Sequence, residues 1–67
     1  MNAKLLDVVR LTDSRRGTIV EVYGNGEAFE VEFLDGEGRT TSVETVESSR
    51  VADIAWSYQR RGKPKAA

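Results

Sequence analysis

Gly17-Thr18-Ile19-Val20-Glu21-Val22-Tyr23-Gly24-Asn25-Gly26-Glu27-Ala28-Phe29-Glu30-Val31-Glu32-Phe33 places two β-rich runs on either side of Asn25-Gly26. Asn-Gly is the strongest short-range hairpin signal, because both residues accept the positive φ of a type I′ turn. A two-residue turn there sets Gly24 against Glu27, Val22 against Phe29, Val20 against Val31 and Thr18 against Phe33. Side chains alternate along a strand, so these residues share one face. Ile19, Glu21, Tyr23, Glu30 and Glu32 fall on the other. One apolar and one mostly acidic face describe a half-buried antiparallel sheet.

Working outward, Asp35-Gly36-Glu37-Gly38 reads as the next turn, with Gly38 in the left-handed region and Asp35 paired with Arg39. Residues 39–46 then form a strand, with Thr41 facing Phe33, Val43 facing Val31 and Thr45 facing Phe29. A slip of one residue would turn Ser42 and Glu44 inward. On the outer face this register sets Glu30 beside Glu44. Upstream, residues 5–12 read as a strand that bends, followed by a polar turn at Asp13–Gly17. The expected core is Val20, Val22, Phe29, Val31, Phe33 and Val43, closed by Leu5 or Leu6, Val9, Leu11 and Val51.

Two readings are open near the C-terminal end. Ser48–Val51 can form a 3₁₀ turn, followed by a short strand in which Ile54, Trp56 and Tyr58 alternate. The same residues also fit a helix, with Val51, Ile54, Ala55 and Tyr58 at i, i+3, i+4, i+7. Four or five short strands with Gly-containing turns predict an all-β fold, a small SH3-like barrel. The barrel is expected to span residues 1–59. Residues 60–67 have nothing apolar to bury and read as a basic, disordered tail.

Composition narrows the function. The 67 residues contain neither cysteine nor histidine. Thiolate chemistry is therefore excluded, as are the commonest general base and the commonest metal ligand. No cofactor, metal or small-molecule substrate is expected. Asp35-Gly36-Glu37-Gly38 lacks the alternating ligands of a calcium loop, and no helix follows Gly24-Asn25-Gly26 to make a phosphate loop. Solvated sheet glutamates lack the desolvation that separates the pKa values of an acid–base pair. A non-enzymatic protein results. Without a long apolar run it is expected to be cytoplasmic, with no membrane contact. Net charge is −1, carried as −5 on residues 1–59 and +4 on residues 60–67.

Leu5-Leu6-Asp7-Val8-Val9-Arg10-Leu11, Gly17–Val22, Phe29–Asp35 and Gly38-Arg39-Thr40 together resemble a family of short prokaryotic proteins catalogued as a domain of unknown function. Its members carry a VEF-type strand before a D-x-x-G-R turn. Gly17–Val22 is also similar to the loop and strand of KOW and related SH3-like barrels. The resemblance implies an SH3-like barrel without catalytic residues, and some members look like partners of a neighbouring toxin-like protein. This chain departs from the family in a shorter loop at Ser14–Arg16 and a longer tail after Trp56.

Exposed aromatic side chains among charges mark interaction surfaces. The expected role is therefore a protein-interaction module whose contact residues are Ile19, Tyr23, Glu30, Glu32, Trp56 and Tyr58. A KOW-like nucleic-acid or ribosome-associated protein is the alternative, using Arg10, Arg15, Arg16, Arg60 and Arg61. Phosphate contacts need a basic face, which the acidic body does not favour. A third reading is a self-associating structural protein that pairs an exposed strand edge with its own copy.

Overall fold

The computed structural model describes residues 3–57. Five strands are present, β1 (Val8–Leu11), β2 (Arg16–Tyr23), β3 (Ala28–Leu34), β4 (Thr40–Glu47) and β5 (Val51–Trp56). They form one antiparallel sheet in the order β4-β3-β2-β1-β5. A 3₁₀ turn at Ser48–Arg50 precedes β5, which returns to pair with β1. This is the all-β, SH3-like barrel, and the turn-plus-strand reading of its C-terminal end is the one adopted. Tyr58, Arg60, Arg61 and the expected tail 60–67 lie outside the described residues.

The hairpin keeps its expected register at one end only. Val22 faces Phe29 and Tyr23 faces Ala28. The connection is a four-residue loop, Gly24–Glu27, with positive φ at Gly24 and Gly26. The Glu27 N–H donates to the Tyr23 carbonyl at 3.1 Å. Further along, the pairing shifts between Ile19 and Glu21, so that Ile19 faces Val31 and Thr18 faces Glu32. The extra residue at Val20 is a β-bulge, which switches the inward parity of β2. Ile19 is therefore fully buried, against its expected place on the outer face, and Val20 is only half-buried.

A second bulge corrects β4. The Asp35–Arg39 turn forms as read, with Gly38 at φ 83° and the Asp35 N–H donating to the Arg39 carbonyl at 2.8 Å. The ladder then shifts between Leu34↔Thr40 and Phe33↔Ser42. Val31 consequently faces Glu44, and Phe29 faces Val46. Val46 is buried opposite Phe29, the place expected for Thr45, and Val43, expected in the core, is 46% exposed. Glu30 lies beside Thr45 and Glu21 instead of Glu44.

The core consists of Val9, Leu11, Ile19, Phe29, Val31, Phe33, Val46 and Val51, with Ala3, Val22 and Ile54 packed on it. Leu5 and Leu6 are exposed, because β1 begins only at Val8. The chain turns before it, with Leu6 at φ 71° and the Asp7 N–H bonded to the Lys4 carbonyl. Asp7 is the buried residue of that turn, and its Oδ2 accepts the Lys4 N–H at 2.9 Å. Gly17 allows β2 to lie close over β3. A Cβ there would stand 2.4 Å from Val31 Cγ1 and 3.0 Å from Phe33 Cδ1.

Candidate functional site

Charged residues gather in two places, the mouth of the barrel and the outer face of the sheet. At the mouth, the second bulge points Ser42 and Glu44 inward, next to Phe33 and Val31. The Glu44 side chain keeps 42% of its surface exposed at the rim, where a partner can reach it. Arg15, from the β1–β2 loop, supplies one. Its Nη1 and Nη2 donate to Glu44 Oε2 and Oε1 at 3.1 and 3.4 Å. The guanidinium lies over the Phe33 ring, with Cζ 4.4 Å from the centroid, in cation–π geometry. Arg15 Nε also donates to Asp13 Oδ2 at 3.0 Å, and Arg50 Nη2 donates to the same oxygen at 3.3 Å. Ser42 Oγ donates to Glu44 at 3.2 Å.

This network holds its carboxyls below their ordinary values. Glu44 is lowered first by the Arg15 hydrogen bonds. Asp13 is lowered first by the Arg15 backbone N–H and then by its side chain. Every member has a partner within the chain, so the arrangement closes the barrel and offers no reactive group.

The outer face is arranged differently. The register aligns Trp56, Val8, Thr18, Glu32 and Val43 across all five strands. Two residues along toward the hairpin loop run Glu21, Glu30 and Thr45. Glu21 sits directly opposite Glu30, a like-charge pair that destabilises a sheet. Two hydroxyls approach Glu30: Thr45 Oγ1 donates to Oε1 at 2.6 Å, and Tyr23 Oη donates to the same atom at 3.4 Å. The Tyr23 phenol titrates above its ordinary value, first through desolvation and then through the charges of Glu30 and Glu21. Tyr23 is nevertheless 44% exposed and Trp56 36%.

Beside the first row, on the side away from the hairpin loop, lies a shallow groove of about 220 Å³, lined by Val8, Arg16, Gly17, Thr18, Glu32 and Leu34. Glu32 is held there by the Thr40 hydroxyl, and Leu34 is half exposed.

Of the expected contact residues, Tyr23, Glu30, Glu32 and Trp56 thus share the outer face. Ile19 does not, since the Val20 bulge turns it into the core, and Tyr58 lies outside the described residues. Leu34 and Val43 are exposed members of the face that the strand pattern assigned elsewhere or passed over; the bulge that moves Val43 outward has no sequence mark. Of the three arginines expected together, Arg10 and Arg16 lie directly opposite one another across β1 and β2, and Arg15 stands apart in the loop between these strands. Arg10 is paired with Asp53, and Arg15 with Asp13 and Glu44. Arg16 faces the groove. Among the described residues, no group of three or more acidic side chains is placed to hold a metal, and no helix is long and apolar enough to cross a membrane.

No curated protein and no solved structure matches the chain. A family model does match, DUF4926, a domain of unknown function, over residues 5–52. That span runs from the turn before β1 to the first residues of β5 and includes both bulges, the Arg15 network and most of the outer face. The chain therefore belongs to the DUF4926 family.

Proposed function

We propose that this domain is a non-enzymatic protein-interaction module of the cytoplasm, and that it binds its partner through the outer face of the sheet. The observation that carries this reading is the face itself. Tyr23 and Trp56 stand exposed on it, with Leu34 and Val43, beside glutamates that no cation of the described residues neutralises. Apolar and aromatic side chains bordered by charge are the composition of an interaction surface. The partner that suits it carries basic side chains around an apolar anchor. A neighbouring toxin-like protein, implied by the family resemblance, is one such partner class.

The KOW-like alternative draws less support, because Arg10 and Arg15 already serve internal ion pairs. A pull-down from the source cell with the full chain, its Tyr23→Ser variant and a nuclease-treated control tests the proposal. One protein recovered by the parent, lost with Tyr23→Ser and indifferent to nuclease, is the expected outcome. Recovery abolished by nuclease transfers the function to nucleic acid.

A further inference from the structure

The sheet ends in two edges, β4 and β5. They differ as templates for further pairing. β5 has six residues, and its ladder with β1 is broken by two register shifts. Such irregularity protects an edge. β4 has eight residues, and from Ser42 to Glu47 its ladder with β3 is unbroken. It is rich in Thr and Val and contains neither lysine nor proline, the residues that normally block an edge. Among the described residues, no strand pairs with its second side.

We propose that β4 pairs antiparallel with β4 of a second copy, about a two-fold axis through Val43. This interface shares Val43 with the outer-face contact proposed above but is made by the backbone edge of β4. A two-fold axis normal to the sheet keeps outer residues opposite outer ones, so the pairing centres on a single residue. Three such registers overlap the regular part of β4 most fully. Centring on Glu44 sets the two Glu44 carboxylates against each other. Centring on Thr45 sets Val43 against a glutamate, Glu47. Centring on Val43 sets the two exposed valines together, Ser42 opposite Glu44 and Thr41 opposite Thr45. Ser42 already donates to Glu44 within one chain, so that pairing is chemically matched. Self-complementarity in apolar and hydroxyl positions thus selects one occupant and one register.

The absence of cysteine makes the test direct. Residues opposite one another in such a ladder have Cβ atoms about 4.5–5.5 Å apart, close to disulfide distance. Full-length Val43→Cys is expected to form a covalent dimer on mild oxidation. Thr45→Cys on the same strand and Ala52→Cys on β5 are expected to remain mostly uncrosslinked. The parent should sediment at twice 7.4 kDa at high micromolar concentration. Val43→Lys should return it to 7.4 kDa with its circular dichroism and melt preserved, since Val43 is exposed in the single chain. A parent that is monomeric at every concentration overturns the proposal and leaves β4 to a different protein. Faster crosslinking of Thr45→Cys overturns the register, and equal crosslinking of Ala52→Cys overturns the choice of edge.

Discussion

Glu44 and Glu30 sit on adjacent strands of one small sheet, yet their carboxylates are treated in opposite ways. Glu44 points toward the barrel interior and meets both terminal nitrogens of Arg15, which is itself held by Asp13. Glu30 points outward, meets Glu21 across the ladder, and among the described residues receives the hydroxyls of Tyr23 and Thr45. The first is a completed circuit whose task is to let a barrel mouth contain polar side chains. The second leaves negative charge beside exposed aromatic surface. Completed networks rigidify a fold, whereas charge that a fold leaves unneutralised at some cost to its stability is the part to examine for binding.

Four substitutions or conditions sharpen or break this contrast. The largest effect is expected from Phe33→Ala, which opens the core and removes the ring beneath Arg15. A loss of about 3–5 kcal/mol is expected. For a domain of this size that is most of its stability, and a cooperative melt close to the parent's would show that the mouth is not part of the core.

Acidification is next. The pKa values of Asp13 and Glu44 are depressed in the folded chain below 3.8 and 4.5 respectively. Their contribution is therefore complete above those ordinary values and is lost as pH falls through the lower, folded ones. Glu44→Gln should melt below the parent at neutral pH, and the gap should narrow as the pH drops under 4.5. A gap of constant size from pH 7 to pH 3 would remove the ion pair from the account.

On the outer face the sign reverses. Glu21→Gln relieves the like-charge pair and should stabilise the chain by about 0.2–1 kcal/mol, measured by urea unfolding. Destabilisation instead would mean that Glu21 has a favourable role in the fold. The smallest effect is expected from Tyr23→Ser, which should leave the melting temperature within error of the parent while weakening partner recovery. A substantial fall in the melting temperature would place Tyr23 in the core and dissolve the distinction between the two regions.

Strand identity and the β2–β3–β4 meander were legible because they rest on alternation and turn chemistry. Gly38 and the Asp35–Arg39 closure could be read in the sequence for the same reason: the turn demands a residue at positive φ. Near the loop, Val22–Phe29 followed directly from the pattern. What failed was parity beyond a bulge. Val20 and Thr41 are β-branched residues with nothing to distinguish them from their neighbours, yet each absorbs a one-residue shift. As a result Ile19 and Val46 are buried, and Val43 is exposed. The inward turn of Ser42 and Glu44 looked prohibitive only while Arg15 was treated as a surface residue. Its partner lies twenty-nine positions away, at Glu44, a separation that carries no periodic signal. The outer-face residues Tyr23, Glu30 and Glu32 were found because they alternate with core residues. Trp56 joins them through the pairing of β5 with β1, a long-range contact.

That last pairing has a kinetic consequence. β1, β2, β3 and β4 follow one another through short turns and can zip together locally, but β5 must return across the sheet to reach β1. The Arg10–Asp53 bond that ties them closes a loop of 43 residues. Loop entropy must be met before such a contact returns anything. The expected order of assembly is meander first and clasp last, with a folding time of milliseconds or longer. Substitutions at Arg10 or Asp53 should then speed unfolding far more than they slow folding. The chain would be at its most vulnerable just before the clasp engages, when Val51 and Ile54 have not yet joined the core and the edge of β1 lies open.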